Sequence, residues 1–297
     1  MKKSLFTGSC VALVTPFTED GVDWGRLESL IEWQIAEGTD AILTCGTTGE
    51  ASTMPDEEHM AVMKFTIEKI AGRVHVMANT GSNDTKHAIH LTQYAESIGA
   101  DSILSVTPYY NKTTQEGLFR HFSAVAGCMN LPVVLYNVPS RTNLNIDPCT
   151  LIRLSEVENI AGVKECNLCQ VPEVLAYTDK LNFWSGEDGL VIPMLAMGGQ
   201  GVISVMANLI PKDTSAMVHA WMDGNQQKAL EMQLKTIPLV KALFCETSPI
   251  PLKEAMNLAG LQVGSCRMPL VEISEHGRTV LTQAMKGYGL LLSLIHI

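Results

Sequence analysis

The stretch IAGVKECN, residues 160–167, sets a lysine directly behind a short apolar run. Lysine is mostly a surface residue, so its place at the end of what reads as a buried strand needs a reason. Outward from it the same kind of run recurs: CVALVT (10–15), DAILTC (40–45), VHVMAN (74–79), SILSV (102–106) and PVVLYN (132–137) before it, LNFWSG (181–186) and GVISV (201–205) after it. With IAGVK (160–164) these make eight strands, continuous rather than alternating, as parallel strands covered on both faces are. Helix signals lie between them. Asp23 precedes Leu27, Leu30, Ile31 and Ile35 at helical spacing, and Gly38 ends the run. A helix is expected from about Asn83 to Ile98, closed by Gly99. Thr113 with Glu116 resembles a capping box, and Asp147-Pro148 reads as an N-cap followed by proline at the first helical position.

Strands alternating with helices predict an α/β fold, a (β/α)8 TIM barrel over residues 1–224. An open doubly wound sheet would announce a nucleotide site by a glycine-rich first turn, and TPFTEDG, at residues 15–21, is not one. After Gly224 the strand signal stops. Residues 225–291 read as a C-terminal helical subdomain of about three helices, interrupted by SPIP and packed on the barrel. Residues 292–297 can be translated from a transposon-end adaptor used in sequencing libraries, so a non-native tail is expected there. Resequencing from an intact source decides it, and the tail carries no functional argument.

Composition narrows the partners. The chain is 46% hydrophobic and 18% charged, with a formal net charge of −10 and no basic run to track a phosphate backbone. Nucleic acid and anionic membranes are not expected partners. The N-terminal apolar stretch is broken by Gly8, Ser9 and Pro16, unlike a secretion signal, and no apolar run is long enough to span a bilayer. Eight scattered cysteines suit a reduced, cytoplasmic protein. CNLC (166–169) lacks a second pair at ligand spacing and is read as coincidence, and His87 with His90 as a solvated helix face rather than a metal pair.

Barrel active sites lie at the carboxyl ends of the strands. The polar residues gathered there are Thr47 and Thr48 in GTTGE, Tyr109 and Tyr110 in TPYYN, Tyr136 and Arg141 in YNVPSRTN, Lys164, and SGED. A partly desolvated lysine has its charged form disfavoured, and a neutral amine can add to a ketone to form an imine. The imine then draws electrons from a neighbouring methyl group. Such chemistry needs a proton shuttle, for which Tyr136 on the adjacent strand is placed, and carboxylate binding, for which GTTGE offers hydroxyls and amides. Each residue alone has a plainer reading: a strand-end lysine, packing tyrosines, a structural arginine.

Together GTTGE, TPYYN, YNVPSRT, GVKE and GGQGVISV stand in the order and spacing of the dihydrodipicolinate synthase / N-acetylneuraminate lyase family, and the chain resembles that family from about Gly8 to about Tyr288. The resemblance implies that Lys164 forms an imine with pyruvate and that Tyr136 is the central acid and base. It implies that Thr47 and Tyr110 complete a proton relay, Tyr110 reaching in from a neighbouring subunit. Thr48 would hold the pyruvate carboxylate, and Gly186 and Ile203 would shape its pocket. No cofactor is implied beyond the covalent pyruvate imine. Arg141 suits a second carboxylate, which favours the synthases, acting on pyruvate and aspartate semialdehyde, over a lyase of 2-keto-3-deoxy sugar acids. A homotetramer, a dimer of dimers, is the assembly implied.

Two departures from the family pattern stand out. Asn143 replaces a glycine after SRT, and asparagine tolerates the left-handed conformation, so the turn is expected to persist. The positions matching a lysine-feedback site are Ala51, Asp56, His59, Asn83, His87 and Tyr109. His59, Asn83 and Tyr109 fit; Ala51, Asp56 and especially His87, where glutamate is expected, do not. Weak or absent lysine inhibition is the expectation.

Overall fold

The computed structural model describes residues 4–291; the expected non-native tail lies outside them. Eight parallel strands close into a barrel in sequence order: β1 (Gly8–Ala12), β2 (Ala41–Thr44), β3 (His75–Asn79), β4 (Ser102–Val106), β5 (Val133–Asn137), β6 (Ile160–Glu165), β7 (Asn182–Ser185) and β8 (Gly201–Ser204). Cys10 of β1 lies opposite both Ala41 and Ile203, which closes the ring. Each strand feeds a covering helix: α1 (Trp24–Ala36), α2 (Asp56–Ile70), α3 (Thr85–Ser97), α4 (Gln115–Ala126), α5 (Pro148–Leu154), α6 (Val171–Leu175), α7 (Val191–Ala196) and α8 (Pro211–Met222). Three further helices, α9 (Gln226–Leu243), α10 (Ile250–Leu258) and α11 (Glu275–Tyr288), form the C-terminal part.

The continuous apolar runs resolve into two faces. Val11, Ile42, Val76, Ile103, Leu135, Val163, Phe183 and Val202 point outward and pack with the helices. Cys10, Ala12, Leu43, Met77, Leu104, Val134, Tyr136, Trp184 and Ile203 fill the interior. Gly162 takes an inward position because there is no room for more: a β-carbon there would sit 2.7 Å from the Trp184 ring and 2.4 Å from the Asn182 carbonyl. Trp184 thus seals the barrel, stacked on Phe6 with ring centroids 4.9 Å apart.

Local signals hold with corrections. Asp23 caps α1 through the Arg26 amide. Thr114, not Thr113, caps α4 by accepting the Gly117 N–H, and no capping box forms: Glu116 is drawn away to Arg120 and Arg153. Helix α3 begins at Thr85, capped by Asp84, two residues later than expected, and ends at Ser97. Pro148 does open α5, but the Asp147 carboxylate accepts from the Asn145 side chain instead of the helix amides. Asn143 keeps the turn with φ of +51°. The first strand starts two residues earlier than its apolar run, and Leu13, Val14 and Thr15 continue as loop. A small hairpin, Phe17–Thr18 with Gly21–Val22, follows that loop and was not expected.

Candidate active site

Strands β5 and β6 pair so that Tyr136 stands opposite Lys164, both directed into the barrel at its carboxyl end. The side chain of Lys164 is 5% exposed, and its Nζ lies 4.3 Å from the centre of the Tyr136 ring. Burial lowers the pKa of Lys164 from the usual 10.5, against weaker opposing influences from Cys166, Cys10 and Asp188. The same burial pushes the Tyr136 phenol well above its usual value. Two thiols share the environment: Cys10 and Cys166 are each pushed up to about 12, again chiefly by burial. Burial therefore favours the neutral form of both groups, the phenol and the amine.

Lys164 is at the floor of a cavity of about 480 Å3. Thr47, Thr48, Tyr136, Arg141 and Gly186 line it, so the structure brings together six of the sequence-chosen residues around one space. Thr48 is buried at 4% exposure, while Thr47 is open to the cavity. Arg141 reaches across the mouth and donates from Nη2 to the Ser248 carbonyl at 3.3 Å. Gly186 is fitted closely: a β-carbon would sit 2.4 Å from Cys166 Sγ and 3.4 Å from Lys164 Cε. Ile203 is placed in the inner barrel layer, and Val205 stands on the cavity wall beyond it. Tyr110 is 93% exposed with φ of +66° and lines neither this cavity nor its neighbour.

Sequence reasoning missed part of the wall. Phe244, Glu246, Thr247 and Ser248, between α9 and α10, come back over the mouth. Their only local signal is the break at ETSPIP, which says that the helix stops and not where the chain goes. It also missed a clamp on the outer face of the strand pair. Glu165 accepts from Asn137 Nδ2 at 2.8 Å, from the Asn167 amide at 2.7 Å and from Gln170 Nε2 at 2.9 Å. Burial outweighs these donors and raises the Glu165 pKa to about 7. Because Asn137 and Glu165 each follow a central residue, this bond fixes the lateral spacing of Tyr136 and Lys164.

A second cavity of about 380 Å3 adjoins the first, sharing Thr47, Tyr136 and Arg141. Ala51, Asp56, His59, His87 and Tyr109 line it; Asn83 stands outside, its amide donating to the Tyr109 carbonyl at 3.2 Å. Asp56 and His87 meet each other at 2.9 Å. His59 Nε2 donates to the Asn79 carbonyl at 3.1 Å, and burial lowers its pKa. His87 Nδ1 meets Ser82 Oγ at 3.0 Å, and among the described residues no group of three His, Cys, Asp or Glu is placed to hold a metal ion. Cys166 and Cys169 are both free thiols.

A closed parallel barrel whose interior amine opens on a carboxyl-end cavity defines an enzyme of the TIM-barrel class. The sequence pattern of the dihydrodipicolinate synthetase family matches residues 5–287, and the chain belongs to that family. It is 56% identical to the 4-hydroxy-tetrahydrodipicolinate synthase of Acetivibrio thermocellus over 292 residues, 98% of this chain and 100% of the relative. The chloride-inhibited dihydrodipicolinate synthase of Acinetobacter baumannii, solved in complex with pyruvate, superposes with a TM-score of 0.93 at 42% identity, over 96% of this chain and 100% of that one. The enzyme of Cyanidioschyzon merolae, solved with lysine bound, superposes with a TM-score of 0.94 at 38% identity, over 97% of this chain and 100% of that one.

Proposed function

We infer that the chain condenses pyruvate with L-aspartate 4-semialdehyde to 4-hydroxy-tetrahydrodipicolinate, the reaction named for its relatives, through an imine on Lys164. The observation that carries this is the buried Lys164 amine, 4.3 Å over the Tyr136 ring, at the floor of a cavity that Thr48 and Arg141 also line.

Neutral Lys164 adds to C2 of pyruvate, and the carbinolamine loses water to give the protonated imine. A proton leaves the pyruvate methyl group, and the electron pair of that C–H bond forms an enamine. Enamine carbon attacks the aldehyde carbon, making the new C–C bond, and the aldehyde oxygen takes up a proton. The amine of the semialdehyde then attacks C2, closing the ring and releasing Lys164, so one water is lost overall. Tyr136 handles the protons at C2 and C3, with Thr47 and a Tyr110 supplied by a neighbouring subunit as its relay. Thr48 and the amides of its turn hold the pyruvate carboxylate, Arg141 the carboxylate of the semialdehyde. Gly186 and Ile203 leave the room for pyruvate. The protonated imine is itself the electron sink, so the reading requires no metal or organic cofactor.

The exposed, left-handed Tyr110 supports an oligomer, and we read the assembly as a homotetramer in the cytoplasm. No helix among the described residues is long and apolar enough to cross a membrane. Incubation with pyruvate and borohydride, followed by mass analysis of peptides, tests the imine: the expected adduct is on Lys164. An unlabelled Lys164, or turnover of sugar acids in preference to the semialdehyde in a coupled assay, would overturn the reading.

A further inference from the structure

Lys253, on α10, is buried to 2% exposure and sits 2.6 Å from Glu50 Oε1, which is buried as deeply. Glu50 Oε2 accepts the Arg267 backbone N–H at 2.8 Å. The Arg267 guanidinium pairs in turn with Glu58 on α2, at 2.7 Å through Nη2. Phe17, from the small hairpin, lies between the two cations, its ring centre 4.3 Å from Lys253 Nζ and 3.9 Å from Arg267 Cζ. Helix α10 and the segment that follows it therefore grip a single glutamate that closes the GTTGE turn.

That turn carries Thr47 and Thr48. Its flanks, Cys45 and Glu50, both have left-handed backbone, φ +55° and +58°. For residues with a β-carbon this conformation is strained and persists only where surrounding contacts impose it. The backbone of the turn is otherwise held by Gly49 N–H and Ala51 N–H to the Gly46 carbonyl, Glu50 N–H to the Thr47 carbonyl, Thr53 N–H and Oγ1 to the Glu50 carbonyl, and Thr15 Oγ1 donating to Gly49 O. A buried ion pair is a poor source of stability, because desolvation offsets attraction and an apolar pair of similar size often does as well. What it supplies here is a directional anchor for a strained turn.

We propose that Lys253 is a positioning residue for the reaction: through Glu50 it holds the Gly46–Glu50 turn so that Thr47 and Thr48 meet the substrate on Lys164. This rests on the pyruvate-imine reading above. The C-terminal helices are then part of the pyruvate site and not only its cover.

The full-length Lys253→Met variant tests this beside Lys253→Arg and the double variant Glu50→Met/Lys253→Met. Melting temperature, the rate of pyruvate-borohydride labelling and the pyruvate KM and kcat are measured well below each melting point. Displacing the turn by about 1 Å is expected to slow labelling and lower kcat/KM for pyruvate about 100-fold in Lys253→Met, with Lys253→Arg recovering part of it. In the double variant the unpaired buried charge is gone, so the melting temperature recovers while labelling stays slow; it carries the test if Lys253→Met fails to fold. Wild-type labelling in the folded double variant would overturn the proposal. An unlabelled Lys164 in the wild type would instead overturn the reading it rests on.

Discussion

Gly186→Ala offers a sharp test of the site's geometry. The glycine has an ordinary backbone, so the substitution strains no dihedral angle and acts only through the added methyl group. That methyl group would lie 2.4 Å from Cys166 Sγ, where unstrained non-bonded contacts are about 3.5–4.0 Å. An overlap above about 1 Å in this half-buried, close-packed place has to be relieved by moving the thiol or strand β7, at about 1–3 kcal/mol. At about 2–4 °C per kcal/mol for a domain of this size, the melting temperature should fall by several degrees. The other two contacts, 3.3 Å from the Glu165 carbonyl oxygen and 3.4 Å from Lys164 Cε, are far milder, so the amine moves mainly if the thiol or the strand carries it. Removing the sulfur separates the terms. Cys166→Ala/Gly186→Ala should regain most of the lost stability and of the labelling rate, with a coupling of about 1–3 kcal/mol in a double-mutant cycle. Calorimetry and pyruvate-borohydride labelling are the assays. Additive effects of the two substitutions, or a Gly186→Ala variant as stable and as readily labelled as the wild type, would refute the packing argument.

Because burial depresses the Lys164 pKa, the rate of imine formation should rise with pH and level off with a midpoint below 10.5; a midpoint at that ordinary value would refute the desolvation argument. Glu165 is raised from 4.5 to about 7, so the folded state holds its proton more tightly than the unfolded chain. Its stabilising contribution is full below about pH 4.5 and is lost as pH rises through about 7, by at most about 3 kcal/mol; Glu165→Gln should flatten that slope in urea titrations at several pH values. Arg141→Ala should leave pyruvate labelling within about threefold of wild type but slow condensation with the semialdehyde about 10- to 100-fold, the scale of charge-assisted hydrogen bonds. Asp56 and His87 pair across the second cavity, where a cationic amino group would need the carboxylate to itself, so lysine below the millimolar range should not inhibit; strong inhibition in a turnover assay would show that the pair opens.

The eight strands were legible because parallel strands buried on both faces are written as dense apolar runs, and their order follows from alternation with helices. Which face of each strand looks inward was not legible, for the same reason: a run without polar gaps hides its parity. Lys164 broke that symmetry in β6, since one inward amine fixes the parity of Gly162 and Val163. Capping failed by one residue at Thr113 and Thr114 because neighbouring hydroxyls offer the same chemistry, and Arg153, from α5, competes for Glu116. The hairpin at residues 17–22 has strands of two residues, too short to show a period. The cavity wall at Phe244–Ser248 and the anchor on Glu50 depend on contacts between segments far apart in the chain, 107 residues for Arg141 and Ser248, and no local pattern reports those.

Two lysines are buried among the described residues, and burial alone would mark both as reactive. Both have their pKa lowered by desolvation. Their surroundings part them. The Lys253 ammonium pairs with Glu50, donates to the Ser265 carbonyl and lies over the Phe17 ring, so it is held on each of these sides by a partner. Among the described residues no carboxylate pairs with Lys164: Asp188, the acid that influences it, accepts instead from the Val205 and Met206 amides. It meets a phenol face on one side and open cavity on the other. A nucleophile needs desolvation without a partner, and an anchor needs desolvation with one. By that criterion exchanging their surroundings, and not their burial, would exchange their roles.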